Sequence, residues 1–175
     1  ALWADLVDID RVEVTRGPDG TIYGNSSTGG AINVHTKKPD FINGDGSVSA
    51  TMGQYDTMNF RGATTLKLDD NLAVRFSGSH REHDGFTENR ALTHDYRLDD
   101  KNDTTVRAQL RWQPTQDFDI QLQHMQFSSD TNGPALKGNF DLISNDPRVV
   151  YHDTREYYKL DMDMTSLHMH YAMDW

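Results

Sequence analysis

From Ser47 onward the chain places apolar residues at every second position, with polar or charged residues between them. Val48, Ala50 and Met52 alternate with Ser49, Thr51 and Gly53; Met58, Phe60, Gly62, Thr64, Leu66 and Leu68 alternate with Asn59, Arg61, Ala63, Thr65 and Lys67. Leu72, Val74 and Phe76 then face away from Ala73, Arg75 and Ser77, and Val106 to Trp112 sets Arg107, Gln109 and Arg111 against Val106, Ala108, Leu110 and Trp112. Phe118, Ile120 and Leu122 oppose Asp119, Gln121 and Gln123, and Leu167 to Trp175 repeats the pattern against His168 and His170. A repeat of two belongs to β-strands, whose successive side chains point to opposite faces. The chain is therefore mainly β, with about six antiparallel strands in this region. A slip of one residue would move Arg61, Arg75, Arg107 and Arg111 together onto the apolar face, so the register is strongly specified.

Two architectures share this pattern: a soluble sandwich with one solvated face, and a transmembrane barrel with one face to lipid and the other to a polar lumen. The mean hydropathy of −0.75 does not separate them, because a spanning strand needs only about 9–11 residues, half of them polar. No apolar run approaches the ~18–20 residues of a transmembrane helix. The connections favour the barrel. Short turns are expected at Tyr55-Asp56, Asp69–Asn71 and Pro114–Asp117, and long aperiodic stretches at His83–Asp103 and Ser128–Asp163. Connections that long are unusual in a compact soluble domain. Short periplasmic turns and long external loops fit a barrel whose first strand runs outward, with Tyr55-Asp56 as an unusually short external loop. Because Arg costs ~2–4 kcal/mol at the midplane of a lipid-facing surface, Arg61, Arg75, Arg107 and Arg111 are expected to face the lumen. Trp112, Phe118 and Trp175 end strands beside short turns, the place of a periplasmic aromatic girdle.

The residues before Ser47 differ in kind. Ile9 to Thr15 reads as a strand, and Gly17-Pro18, Asp19-Gly20, Tyr23-Gly24-Asn25 and Gly29-Gly30 mark successive tight turns. Ala31 to Thr36 is a short strand ended by Lys37-Lys38-Pro39, and Phe41 to Gly46 is a linker. These glycines do not form G-x-G-x-x-G, no G-K-[ST] follows, and no helix opens after them, which argues against a phosphate loop.

Other chemistry is sparse. Lys and Arg number 17 against 27 Asp and Glu, a net charge of −10, which argues against nucleic-acid binding. Cysteine is absent, so disulfides play no part. His168 and His170 have a spacing that can bind a metal, but no further ligands stand near them in sequence, and lumen-facing polar residues are the preferred reading. The acidic stretch from Glu82 to Asp103 lacks the spaced frame of a calcium loop. No nucleophile or metalloprotease frame occurs, so neither an enzyme, a metal site nor a cofactor is expected.

Ile9 to Pro39, IDRVEVTRGPDGTIYGNSSTGGAINVHTKKP, resembles the C-terminal part of the plug domain of TonB-dependent outer-membrane receptors. Arg16, Gly17, Pro18, Tyr23, Gly24, Gly29, Gly30, Lys37, Lys38 and Pro39 carry the match; Asp10 stands where Glu is usual, and His35 lies in the last plug strand. The resemblance implies an internal fragment in three parts: residues 1–40 as the C-terminal part of a small α+β plug, 41–46 as a linker, and 47–175 as the first strands of a barrel of about 22 strands. It implies active transport of a scarce nutrient, most often a ferric siderophore, across the outer membrane of a Gram-negative bacterium. Energy would come from the TonB–ExbB–ExbD complex through a TonB box that would precede Ala1. Tyr23, by its place in the motif's apex loop, is the candidate ligand contact, and Arg16 is expected to pair with barrel-wall carboxylates. A binding or adhesion barrel without energised transport, and a soluble sandwich module, are the alternatives.

Overall fold

The computed structural model describes residues 6–17, 30–42, 44–91, 96–137 and 143–173. Its regular elements are all strands: β1 (Ile9–Arg16), β2 (Gly30–Thr36), β3 (Gly46–Gly53), β4 (Thr57–Asp69), β5 (Leu72–His83), β6 (Thr87–Asn89), β7 (Arg97–Leu98), β8 (Lys101–Thr115), β9 (Phe118–Thr131), β10 (Val149–Val150) and β11 (Tyr158–Tyr171). No helix occurs among the described residues. β1 and β2 pair as an antiparallel hairpin. Six long strands form one sheet in the order β11-β9-β8-β5-β4-β3, every neighbour antiparallel. The edge strands β3 and β11 do not pair with each other, so the sheet is open. The remaining short strands make a small sheet, β10-β6-β7, within the long connections.

The turns follow from their residues. Tyr55 and Asp56, at φ 58° and 49°, are both left-handed, the central pair of a tight turn from Gln54 to Thr57 whose twist suits a hairpin. The Thr57 hydroxyl closes this turn on the Gln54 carbonyl at 2.5 Å. On the opposite side of the sheet's long axis, Lys67 pairs with Asp70 at 2.6 Å across the β4–β5 turn.

The burial pattern is inverted relative to a soluble sheet. Ala73, Arg75, Ser77 and Ser79 of β5 are buried, as are Asp103, Thr105, Arg107 and Gln109 of β8. The intervening apolar residues stay bare: Phe76 is 48% exposed, Val106 52% and Leu167 57%. A soluble sandwich buries its apolar face; a barrel wall turns that face to lipid and keeps the polar one inside. Trp112 lies on the bare face, and Phe118 meets Tyr171 edge-on at 6.1 Å near the same end. Trp175 lies outside the described residues.

The strands run further than their alternation suggests. β5 continues to His83, β8 begins at Lys101, β9 continues to Thr131 and β11 begins at Tyr158, all within stretches expected to be aperiodic. The reason is a change on the bare face. Beyond the apolar belt it carries His80, Glu82, Thr104, Gln126, Ser128, Asp161 and Asp163, while Met125 and Phe127 are buried on the covered face. The apolar signal fades and then reverses face, although the ladder of backbone hydrogen bonds continues.

This difference along one strand yields a depth test. Leu122→Arg, in the belt of β9, is expected to destabilise the intact membrane protein by ~2–4 kcal/mol, and Ser128→Arg, above the belt on the same strand, by ~0–1 kcal/mol. Denaturant titration in lipid vesicles measures both.

Candidate functional site

Arginine cannot rest uncompensated against low-dielectric surroundings, and the covered face of the sheet supplies its partners from the N-terminal segment. Arg75 is 2% exposed. Its Nε and Nη2 donate to the two carboxylate oxygens of Asp8, each at 2.6 Å, a bidentate fork. Its Nη1 donates to Asp45 at 2.6 Å and to the Thr65 hydroxyl at 2.5 Å. One guanidinium thus ties the residue before β1, the residue before β3 and two neighbouring strands of the wall. Asp8 sits at φ 55°, left-handed for a residue with a Cβ, and its carbonyl accepts the Lys37 amide at 3.1 Å, which joins the anchor to the end of β2.

Two further arginines extend the seam. Arg107 donates to the Val7 carbonyl at 3.0 Å and contacts the Met125 sulfur at 3.6 Å. Arg111 forks onto Asp119 through Nε at 2.7 Å and Nη2 at 2.6 Å. Its Nη1 reaches the Pro39 carbonyl at 3.4 Å, and its guanidinium lies 4.6 Å from the centre of the Phe41 ring. Between them Gln109 donates to the Thr36 hydroxyl and to Gln123. Toward the other end Asp103, 1% exposed, accepts from Lys101 at 2.6 Å, Arg81 at 3.3 Å and the Ser129 hydroxyl at 2.7 Å.

Arg75, Arg107 and Arg111 therefore meet on one seam with Asp8, Val7 and Pro39. Arg61 shares their face, opposite Ser79 of β5, but is exposed. Lys37 and Lys38 are exposed and Pro39 is buried. Arg16 ends β1 as an exposed residue, and among the described residues no ion pair joins it to a wall carboxylate. Gly17 adopts φ 98°, and Gly30 adopts φ 122° so close to β1 that a Cβ would land on the Thr15 carbonyl oxygen. Pro18, Tyr23, Gly24 and Gly29 lie outside the described residues. His168 and His170 stand opposite Gln121 and Asp119, on the face of Arg111.

The sequence pattern puts the arginines on one face and leaves room for acids of the plug-like segment as their partners, but it singles out neither Asp8 nor Asp45. Asp8 falls in a segment too short to show periodicity, and Asp45 in a linker read only for its glycines. An excess of cations on one face was the available signal that acids had to come from elsewhere in the chain.

Asp45 is held below the usual carboxylate range, first by its hydrogen bond with the Thr65 hydroxyl and then by Arg75, against the opposing effect of burial. A carboxylate depressed on folding contributes stability that is present above its unfolded pKa of about 3.9 and is lost as pH falls through the lower folded value.

No family model matches the chain. Over 35 residues it is 54% identical to the pesticin receptor of Yersinia pestis, covering 20% of this chain and 5% of that protein. Over 126 residues it is 30% identical to the iron-regulated outer membrane virulence protein of Vibrio cholerae, covering 67% of this chain and 18% of that protein. The crystal structure of the ferric yersiniabactin uptake receptor from Yersinia pestis superimposes with a TM-score of 0.83 at 24% identity, over 95% of this chain and 26% of that one. The chain thus spans less than a fifth of these two sequence relatives and about a quarter of that structure.

Two measurements follow from the seam. Arg75→Ala leaves the Asp8 carboxylate buried without its partner, and is expected to cost ~3–5 kcal/mol in thermal or denaturant unfolding of the intact protein. Asp45→Asn is expected to remove part of the destabilisation seen as pH is lowered through the acid range, with little effect at neutral pH beyond the lost pairing; a pH series of unfolding midpoints reads it.

Proposed function

From the premise that the chain belongs to the TonB-dependent outer-membrane receptors, we propose that the protein it comes from takes up a ferric siderophore or a similar scarce nutrient across the outer membrane of a Gram-negative bacterium. Residues 1–40 are the C-terminal part of the plug, 41–46 the linker, and 47–175 the first strands of the wall. The bare apolar face meets outer-membrane lipid, and Arg61, Arg75, Arg107 and Arg111 face the lumen. The observation that carries this reading is the seam itself: buried wall arginines clamp the segment bearing the plug-like motif by charge and hydrogen bonds. A joint of that kind holds the pore shut at rest and exchanges its partners for water when pulled.

The named relatives support the nutrient. They include the ferric yersiniabactin uptake receptor, and a ferrioxamine receptor of Yersinia enterocolitica, 24% identical over 115 residues, points the same way; receptors of this kind are not enzymes. The force on the plug comes from the TonB–ExbB–ExbD complex acting through a TonB box outside this chain. Within the motif, Tyr23 contacts the ligand, and Arg16, Gly17, Pro18, Gly24, Gly29, Gly30, Lys37, Lys38 and Pro39 shape the plug.

Uptake of iron-55 carried by a panel of siderophores, in cells with and without the intact receptor, tests the reading. At least one ferric siderophore is expected to enter only when both the receptor and TonB are present, and Tyr23→Ala is expected to weaken its binding without lowering surface expression. Binding that persists with uptake indifferent to TonB would favour a binding barrel without energised transport.

A further inference from the structure

We infer that the connections at the β6–β7 end of the sheet open and close as one unit, so that this sector presents a fixed surface and not separate lids. Three connections meet there: the β3–β4 turn, and the described residues of the β5–β8 connection (84–91 and 96–100) and of the β9–β11 connection (132–137 and 143–157). Neither long connection satisfies its buried polar groups alone.

The β5–β8 and β9–β11 connections are laced at three places. β6 pairs in parallel with β10, through Glu88 N–H to the Arg148 carbonyl at 2.9 Å and Arg90 N–H to the Val150 carbonyl at 3.0 Å. Asn89 is fully buried; its amide donates to the His152 carbonyl at 2.9 Å and its oxygen accepts the His152 N–H at 3.0 Å. At the second place Asp99, held at φ 60°, donates its N–H to the Gly133 carbonyl at 2.9 Å, accepts the Ala135 N–H at 2.9 Å, and accepts the Thr87 hydroxyl. At the third, Asp100 accepts the Asn132 N–H at 2.7 Å, and the Asn132 side chain returns to the Arg97 carbonyl at 2.9 Å. Leu98, Val149 and Val150 are buried within this lacing.

The short turn is tied to both. Asp84 N–H donates to the Tyr55 carbonyl at 2.7 Å, Arg148 donates to the Tyr55 hydroxyl at 2.8 Å, and Phe86 meets the Tyr55 ring edge-on at 6.2 Å. The left-handed Asp99 persists because its neighbours over-determine it. A loop that moves independently is drawn from the least stable part of a fold, with few buried contacts and solvated hydrogen bonds. Opening either long connection alone would strand the buried Asn89 and the backbone groups it pairs, which is costly. The cheaper event is a joint opening. Whatever the receptor binds therefore meets the half-exposed Tyr55 and Phe86 as a surface formed in advance.

Hydrogen exchange followed by mass spectrometry on the intact receptor in a membrane mimic tests this without knowledge of the ligand. Peptides covering 87–90, 132–135 and 149–152 are expected to exchange with one common opening equilibrium. Asn89→Ala, and separately Asp99→Ala, are expected to raise exchange in all three by about tenfold or more, the scale of a lost buried hydrogen bond, while amides of β8 and β9 between Val106 and His124 stay protected. A rise confined to the mutated connection, no rise with either variant, or wild-type connections that differ severalfold in their opening equilibrium would overturn the inference.

Discussion

A guanidinium in a membrane-spanning strand must be turned away from lipid and given partners, since the penalty for lipid exposure is ~2–4 kcal/mol per residue at the bilayer midplane. Everything else in this sector follows from how Arg75, Arg107 and Arg111 meet that demand. They set the register of the sheet, because a one-residue slip would expose all three. They also recruit the N-terminal segment, because the covered face has too few acids of its own. Asp119 serves Arg111 from the wall, but Arg75 needs Asp8 and Asp45, and Arg107 needs the Val7 carbonyl. The hairpin is thereby fixed at its base, at Asp8, Thr36 and Pro39, while the apolar row Val12, Val14, Ile32 and Val34 remains exposed.

A joint of charge and hydrogen bonds has different mechanics from a hydrophobic core. Its partners can be replaced by water one at a time, and several buried polar atoms of the covered face, among them Arg107 Nε and the Ser77 and Thr105 hydroxyls, have no partner among the described residues. The left-handed, non-glycine residues mark where the fold spends strain on such joints. Asp8 sits at the wall anchor, Tyr55 and Asp56 at the short turn, and Asp99 at the lacing of the long connections. Asp8, Tyr55 and Asp99 each offer a carboxylate, hydroxyl or carbonyl to another segment from that backbone shape.

The wall was legible in the sequence where its two faces differ in polarity. The alternation around Arg75, Arg107 and Gln121 marks faces that the structure keeps distinct, and the short turns at Asp69–Asn71 and Pro114–Asp117 coincide with the ends of β4 and β8. Legibility stopped where the contrast stopped. Along β9 the bare face turns polar at His124 while Met125 and Phe127 are buried, so a strand of 14 residues shows only its first half. β6, β7 and β10, of 3, 2 and 2 residues, are too short to carry any period and exist through contacts between distant connections. The partners Asp8 and Asp45 were illegible for a related reason: a salt bridge spanning 67 or 30 residues leaves no local trace.

The central claim is that the sheet is a membrane wall with its arginines inside. The most direct measurement is a nitroxide scan along β8 of the intact receptor in lipid bilayers, with single cysteines from Thr105 to Trp112; this stretch has no cysteine of its own. Accessibility to oxygen is expected to alternate, high at 106, 108, 110 and 112 and low at 105, 107, 109 and 111. The opposite phase, or accessibility to a water-soluble nickel complex at 106 to 110, would place the apolar face in water and contradict the account.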